Sequence, residues 1–212
     1  VQGYTEGEPI VIKINMNQDN GGSWSKTAGM PSPQAVYALL DQLINVAGVP
    51  GQDITLYDAS RFIGDPIFNK IRANLDPDFQ ACRFVVAPRS ASSLKGRESV
   101  RHDPAHPIHF ADQNVPGNAR AYLPQCVTQA KYLINMALLR AHSLFGVTLC
   151  AKNHFGSVYF PGNGNWTPAP LHNFGNRERA MGSYNCLVDL IGHEQLGGKT
   201  LLYLIDGLYG AR

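Results

Sequence analysis

The fold is decided near the start of the chain, where PIVIKINMN (residues 9–17) leads through the loop QDNGGSWSKTAGMPSP (residues 18–33) into QAVYALLDQLINVAG (residues 34–48). The first run is rich in β-branched residues and predicts a strand. Apolar residues recur at helical spacing in the third run; they are Val36, Leu39, Leu40, Leu43, Ile44 and Ala47. That spacing predicts a helix, which Gly48 ends. Strand, loop and helix in this order form the first unit of an α/β fold.

The same alternation continues downstream. DITLYDAS (residues 53–60) and ACRFVVAP (residues 81–88) predict two further strands, separated by a helix in which Asp65 is the N-cap and Pro66 the first helical residue. Later segments predict a helix near residues 124–130, a strand from Tyr132, a helix within 146–155, a long helix over about 177–195 and a last strand in 200–207. We therefore expect an α/β fold with three layers, in which helices cover both faces of a mostly parallel sheet.

Length and composition indicate one globular unit. The chain has 212 residues, of which 44% are hydrophobic and only 16% charged, so it can bury a sizeable core. We expect residues 1–212 to form a single α/β domain, with residues 89–117 as a loop or small insertion, since Ser, Pro, His and Asp dominate there. The chain starts with neither Met nor a signal peptide, from which we expect a fragment of a longer protein.

Charge and cysteine spacing argue against several classes of partner. The formal net charge is +2 without a long basic run, so nucleic acid and anionic membranes are not expected partners. The longest apolar stretch, residues 132–151, is interrupted by Arg140 and His142 and predicts no membrane span. The four cysteines are widely separated and form no CxxC pair, which favours free thiols over a zinc or iron-sulfur site.

Polar residues gather where the predicted strands end. They are Asn15, Asn17, Asp58, Ser60, His142 and Asp206. Ligands of open α/β sheets bind at the carboxyl ends of the strands, so this grouping predicts a pocket there. Asn, Asp and Ser also cap helices and form turns, and that structural interpretation stays open for each residue taken singly.

Two lysines lie among apolar residues. Lys13 shares a strand face with Val11 and Asn15, so it is buried if the sheet is covered on both faces, or solvated if the strand is an edge. Lys152 shares a predicted helix face with Thr148. An amine in such surroundings acts as a base or Schiff-base nucleophile, or stays charged and binds a carboxylate or phosphate. A lysine that reaches from a helix end into solvent is the alternative.

A metal site and a nucleotide site find little support in the motifs. RHDPAHPIHF contains His102, His106 and His109, but its prolines and spacing match no standard metal motif, so the metal stays unknown. The glycine-rich loops match neither GxGxxG nor a Walker loop, and GxSxG and HExxH are absent from the sequence. No cofactor is specified.

The order of motifs resembles a bacterial and archaeal family called domain of unknown function 362. The segments that carry the resemblance are VIKINMN, YDAS, YLINMALLRAHSLFGVTLCAKNHFG, LHNFGN and LIDGLYG, which span about residues 11–210. The resemblance implies functional roles for Lys13, Asn15, His142, Thr148, Lys152, Asn153, His172 and Asp206. Arg140 stands where the family usually has a lysine. Members are often fused to ferredoxin-like modules, and some are exported by twin-arginine signals, so either a cytoplasmic or an exported protein is implied.

These observations lead to an expected enzyme-like pocket for a small anionic metabolite, with acid/base chemistry. Lys13, His142, Lys152 and Asp206 are the expected catalytic residues. The expected ligand-binding residues are Asn15, Arg140, Thr148, Asn153 and His172. The alternative is a non-catalytic module that binds a ligand or cofactor and serves an iron-sulfur redox partner, such as a ferredoxin-like domain.

Overall fold

The computed structural model describes residues 3–16, 24–87, 94–116, 118, 120–160, 168–176 and 178–209. At its centre lies a six-stranded sheet formed by β1 (Ile10–Ile14), β2 (Ile54–Asp58), β3 (Arg83–Val86), β4 (Glu98–Ser99), β7 (Tyr132–Leu138) and β10 (Thr200–Asp206). The strand order is β10-β7-β1-β2-β3-β4, and each neighbouring pair is parallel. The predicted parallel α/β sheet is therefore confirmed.

Helices cover this sheet on both faces. They are α1 (Pro33–Asp41), α2 (Asp65–Arg72), α3 (Pro77–Ala81), α4 (Gln125–Thr128), α5 (Cys150–Asn153) and α6 (Cys186–Gly192). Alternate residues of β1 point to opposite sides: Ile12 packs in a core with α1, α2 and α3, whereas Val11 packs in a second core with residues of α4 and α6. The chain therefore has the three layers that the sequence predicts.

Local chemistry explains where the first helix starts. Ser32 has extended backbone angles and its hydroxyl accepts a hydrogen bond from the Ala35 amide, while Pro33 occupies the first helical position. The helix then continues into a π-helical turn over Gln42–Val46. α2 begins at Asp65 after Gly64, one residue earlier than predicted, and has no side-chain cap.

Two predicted helices are shorter than the sequence suggests. The segment expected to be helical over residues 146–155 begins as β9 (Gly146–Thr148), which pairs antiparallel with β8 (Arg140–His142). Gly146 has φ of 80°, which turns the chain into this hairpin, and only Cys150–Asn153 is α-helical. The long helix predicted from about residue 177 is wrong as well, because Asn185 caps a helix that starts at Cys186.

The segment expected to be a loop or small insertion contains regular structure. Its residues include β4 and β5 (His102–Ile108), and β5 pairs antiparallel with β6 (Ala121–Pro124) in a separate two-stranded sheet. Residues 89–93 and 117 of this segment lie outside the described residues. In the described part of the chain, no helix is long and apolar enough to cross a membrane.

Candidate functional site

A cavity of about 80 Å³ opens at the carboxyl ends of β1 and β2. It is lined by Lys13, Asn15, Asp58, Ser60, Arg61, His142, Thr148, Lys152, Asn153, Phe155, Gly156, Pro168 and His172. This is the edge of a parallel sheet at which ligands of open α/β folds bind. Pockets for drug-sized ligands are several times larger, about 300–1,000 Å³, so this cavity suits a ligand group of the size of a carboxylate or phosphate.

The floor of the cavity is an ion pair between Lys13 and Asp58. Lys13 lies in a central strand, between β7 and β2, and is 1% exposed. Its amine donates to the Ile14 carbonyl at 2.6 Å, to Asp58 Oδ2 at 3.1 Å and to Asn153 Oδ1 at 3.2 Å. Burial lowers the pKa of Lys13, and Asp58 opposes that shift. Because an ammonium has three donors, these acceptors use all of them.

Asp58 connects Lys13 to the loops that follow the strands. Its Oδ2 also accepts a hydrogen bond from the Met16 amide at 3.1 Å, and its Oδ1 accepts from the Ser60 amide and hydroxyl at 2.9 and 3.0 Å. Gly156 closes over the pair: a Cβ built there would lie 2.6 Å from Lys13 Nζ and 2.8 Å from Asp58 Oδ1. Only glycine leaves room for the ion pair at this position.

Asparagine side chains hold the wall behind this pair. The Asn153 amide donates to the Lys13 carbonyl at 3.2 Å and to Asn135 Oδ1 at 2.9 Å. Asn135 in turn donates to the Cys150 carbonyl and to His154 Nε2, both at 3.0 Å. Accepting at Nε2 places the proton of neutral His154 on Nδ1, which has no partner among the described residues. Burial lowers the pKa of His154 to about 3.

The second lysine, Lys152, is in a different environment from Lys13. Its amine lies 3.3 Å from His172 Nε2 and 3.8 Å from the centre of the Phe155 ring. The Nδ1 of His172 donates to the Ala169 carbonyl at 3.1 Å, which leaves Nε2 as an acceptor facing the amine. In the described part of the chain, no carboxylate forms an ion pair with Lys152.

These surroundings disfavour the charged form of the Lys152 amine. Burial lowers its pKa to about 7, and the positive charge of Lys13 acts in the same direction. A cation over an aromatic ring gains about 0.5–2 kcal/mol, which is too little to offset the loss of hydration without a carboxylate partner. Ammonium and neutral amine are therefore present in comparable amounts near neutral pH.

His142 contributes a hydrogen-bond donor beside this lysine. Its Nδ1 accepts from the amides of Leu144 and Phe145 at 3.1 and 3.3 Å, so the proton of the neutral ring is on Nε2. Its ring stacks on His172 with centroids 5.5 Å apart. Burial, followed by the charge of Lys152, lowers the pKa of His142 to about 4, so the ring is neutral at pH 7.

Most of the residues predicted from sequence line this cavity, but two do not. Those in the lining are Lys13, Asn15, His142, Thr148, Lys152, Asn153 and His172. Arg140 lies in β8, where it pairs with Thr148 in the hairpin, and is not part of the lining. Asp206 ends β10, and its carboxylate accepts from the Ser32 amide at 2.7 Å and the Leu208 amide at 3.2 Å. Asp206 therefore ties the last strand to the start of α1.

Other residues of the cavity were not predicted as functional from sequence. Asp58 and Ser60 stood out only as polar strand ends, although Asp58 directly follows Tyr57, the register partner of Lys13. That pairing would place a carboxylate within reach of the lysine once the strand order was known. Arg61 brings a further cation to the lining, and Gly156 gave no sequence signal for its role.

The histidine-rich segment and the cysteines show local packing. His102 stacks on Tyr159 with ring centroids 4.1 Å apart, and His106 Nδ1 lies 2.9 Å from Asp103 Oδ2. Among the described residues, no three His, Cys, Asp or Glu side chains converge in a way that could hold a metal ion. The structure has four free cysteines, of which Cys82 and Cys186 are buried and Cys126 and Cys150 are half-buried.

Comparison with known proteins gives one result. A family model described as domain of unknown function (DUF362) matches residues 10–211, which is nearly the whole chain. No curated protein and no solved structure is significantly similar to the chain.

Proposed function

The chain belongs to the family described as domain of unknown function (DUF362), and we propose that its cavity binds a small anionic metabolite and catalyses proton transfer on it. The family description gives no activity, so the support for this proposal comes from the arrangement of side chains. The observation that carries it is the Lys152 amine, which lies in the cavity lining beside an acceptor nitrogen of His172 and without a carboxylate partner in the described residues.

The charges of the lining favour an anion. Among the described residues of the lining, Lys13, Arg61 and Lys152 supply up to three positive charges, against the carboxylate of Asp58. Because Lys13 and Asp58 pair with each other, the argument for an anion rests on Lys152, whose protonated form has no carboxylate partner in the described part of the chain. A carboxylate or phosphate of the ligand fits both this charge and the small volume of the cavity.

Three residues of the lining have different roles in the proposed proton transfer. A catalytic base functions best when its pKa is near the working pH, and burial brings the pKa of Lys152 to about 7. Neutral His142 supplies an Nε2–H donor to the ligand. Lys13 holds the carboxyl ends of β1 and β2 together and acts on the other residues through its charge, since its donors are already used.

The experiment that tests this proposal combines binding with proton exchange. A panel of small carboxylates and phosphates is titrated into the full chain by calorimetry, and those that bind are incubated in D₂O and followed by NMR for loss of the hydrogen next to the carboxylate. We expect binding and exchange in the wild type, and loss of exchange in Lys152→Met. Lys131→Met, which removes an exposed lysine paired with Glu8, is the matched control.

The outcomes separate the alternatives. Equal rates of proton exchange in Lys152→Met and wild type would show that Lys152 has no catalytic role. Saturable binding without exchange by any bound ligand would instead support the non-catalytic binding module. Absence of binding across the panel would count against an anion pocket of either kind.

A further inference from the structure

We infer that Lys152 is a covalent nucleophile, whose neutral amine attacks the carbonyl carbon of a small oxo acid in the cavity and forms an imine. This inference rests on the proposed function, because it places the same anionic ligand in the same cavity. It goes further by naming the substrate class, an aldehyde or ketone that also carries a carboxylate. It also assigns Lys152 a covalent role.

The contrast between the two lysines carries this inference. The amine of Lys13 donates to three protein oxygens, so it has no N–H left for a substrate. The Lys152 amine has one polar contact among the described residues, to a nitrogen that can only accept. Its other neighbours are the faces of Phe155 and Phe145, at 3.8 and 5.0 Å from the ring centres. An amine that is desolvated in this way and lies beside another cationic group is the environment in which lysine becomes nucleophilic.

His172 provides the proton acceptor that the first step needs. Its Nδ1 proton is fixed on the Ala169 carbonyl, so the Nε2 lone pair faces the Lys152 amine at 3.3 Å. Burial and the charge of Lys152 lower the pKa of His172, which keeps Nε2 an unprotonated acceptor. With a pKa of about 7, much of the Lys152 amine is already neutral at pH 7, and Nε2 accepts a proton from its nitrogen once the C–N bond has formed.

The reaction balances without an oxidant or reductant. The nitrogen lone pair forms a C–N bond to the carbonyl carbon, the π electrons of the C=O bond move to oxygen, and one N–H proton passes from the nitrogen to that oxygen. The second N–H proton then passes to the resulting hydroxyl as the C–O bond breaks, and the oxygen leaves as water. One amine and one carbonyl compound thus give one imine and one water molecule. His142, with its proton on Nε2, supplies a donor to the oxygen as charge develops there.

Imine formation also connects this step to proton transfer. A protonated imine withdraws electrons from the neighbouring carbon, so the hydrogen on that carbon becomes acidic. His172 Nε2 lies beside the imine nitrogen and can accept this hydrogen as a proton. On an oxo acid the Lys152 nitrogen is part of the imine, so His172 takes over the role of base that Lys152 has in the proposed function, and the lysine acts as nucleophile.

The test is reductive trapping of the imine. The full chain is incubated at pH 7 with pyruvate, the probe, and then treated with borohydride, which reduces an imine to a stable secondary amine. We expect a mass gain equal to one pyruvic acid less one oxygen atom, located by peptide mapping on Lys152. The exposed lysines Lys95 and Lys131, 68% and 59% exposed, are internal controls and should stay unmodified. Lactate, which has no ketone or aldehyde group, should bind without an adduct and should protect Lys152 from trapping.

Two outcomes would overturn the inference, and they differ from failure of the proposed function. If lactate binds by calorimetry but pyruvate and glyoxylate leave no adduct on Lys152, the nucleophile is refuted while the anion pocket stands. If adducts form equally on Lys95 and Lys131, the trapping is non-specific and the inference fails. Absence of binding by lactate, pyruvate and glyoxylate alike, with no adduct, refutes both proposals.

A matched variant separates charge from nucleophilicity. Lys152→Arg keeps a cation in the cavity but has no amine that can form an imine. We expect it to bind lactate within about tenfold of the wild type and to show no trapping. Trapping of the variant to the same extent as wild type would refute Lys152 as the nucleophile. If the variant fails to fold, protection of Lys152 by lactate in the wild-type chain decides the question.

Discussion

Lys13 and Asp58 form an ion pair 3.1 Å long in which neither side chain is more than 4% exposed. The pair joins the ends of two neighbouring strands and also supports Asn153 and the Met16 amide. Because both charges are out of water, each one offsets part of the desolvation cost of the other.

Replacing Lys13 by Met should therefore destabilise the protein strongly. The variant leaves the Asp58 carboxylate buried without a counterion, which costs about 3–5 kcal/mol of unfolding free energy. Arg83→Met is the control, since it breaks an ion pair with Glu98 in which both side chains are 49% exposed, and it should cost about 0–1 kcal/mol. Urea unfolding at pH 7 measures both values. Equal losses in the two variants would show that the buried pair has no special role.

Gly156→Ala should damage the same region by overpacking. The new methyl group would lie 2.6 Å from Lys13 Nζ, so the ion pair must move or separate, and we expect a loss of about 1–3 kcal/mol. Gly192→Ala, at a helical glycine with no heavy atom within 4 Å of the added carbon, should change stability by less than about 1 kcal/mol. Thermal unfolding of the two variants compares them directly, and a harmless Gly156→Ala would contradict the close approach.

The reactivity of Lys152 should depend on pH in a distinctive way. With a pKa of about 7, roughly half of its amine is neutral at pH 7, whereas a solvated lysine with a pKa of about 10.4 is almost entirely charged. Brief labelling with acetic anhydride across pH 5–10, followed by quantitative mass spectrometry, should give a midpoint near 7 for Lys152. A midpoint shared with Lys95 and Lys131 would show that the amine is solvated.

His154 should make the protein less stable in acid. Its pKa is about 3 in the folded state and about 6.5 in an unfolded chain, so the unfolded state binds the proton first as pH falls. The stabilisation is fully present above pH 6.5 and is lost progressively towards pH 3. In urea unfolding between pH 6.5 and 4, His154→Gln should reduce the slope of unfolding free energy against pH by up to one proton. An unchanged slope would mean that His154 takes up its proton in the folded protein.

Asp206→Asn tests whether this carboxylate has a catalytic role. Its two oxygens accept from backbone amides of Ser32 and Leu208, so the variant loses one charge-assisted hydrogen bond, worth about 1.5–3 kcal/mol. We expect lower stability, while the rate of proton exchange per folded molecule stays within about twofold of wild type. A large loss of proton exchange with unchanged ligand binding would show that Asp206 has a catalytic role.

Hydrophobic periodicity predicts the first strand and the first helix of this protein well. The apolar run of β1 and the helical spacing from Val36 to Leu40 depend on neighbours in sequence, and both elements are present. The helix predicted after Gly146 is wrong at its start: Val147, Ala151 and Phe155 recur at helical spacing, but Gly146, with positive φ, begins the second strand of a hairpin. Helical spacing in a short segment does not determine where the helix begins.

The site was predictable to the extent that it follows strand ends. Lys13 stands out as a lysine among apolar strand residues, Asn153 by resemblance, and Asp58 by its position after an apolar run. What sequence could not give was the pairing of Lys13 with Asp58, which depends on β1 and β2 being neighbours. Nor could it show that Asp206 turns towards α1, because that contact joins residues 174 positions apart.

The hydrogen bond between Lys13 and Asn153 has a consequence for the order of folding. It closes a loop of 140 residues, and we expect a contact of such long range to form late, because the entropy of loop closure must be offset by other structure first. On this expectation, a partly folded chain contains β1, α1 and β2 before the α5 side of the cavity has formed. The binding pocket is thus a feature of the completed molecule, and the ligand-binding capacity of a preparation would report the fraction of chains that have reached the native state.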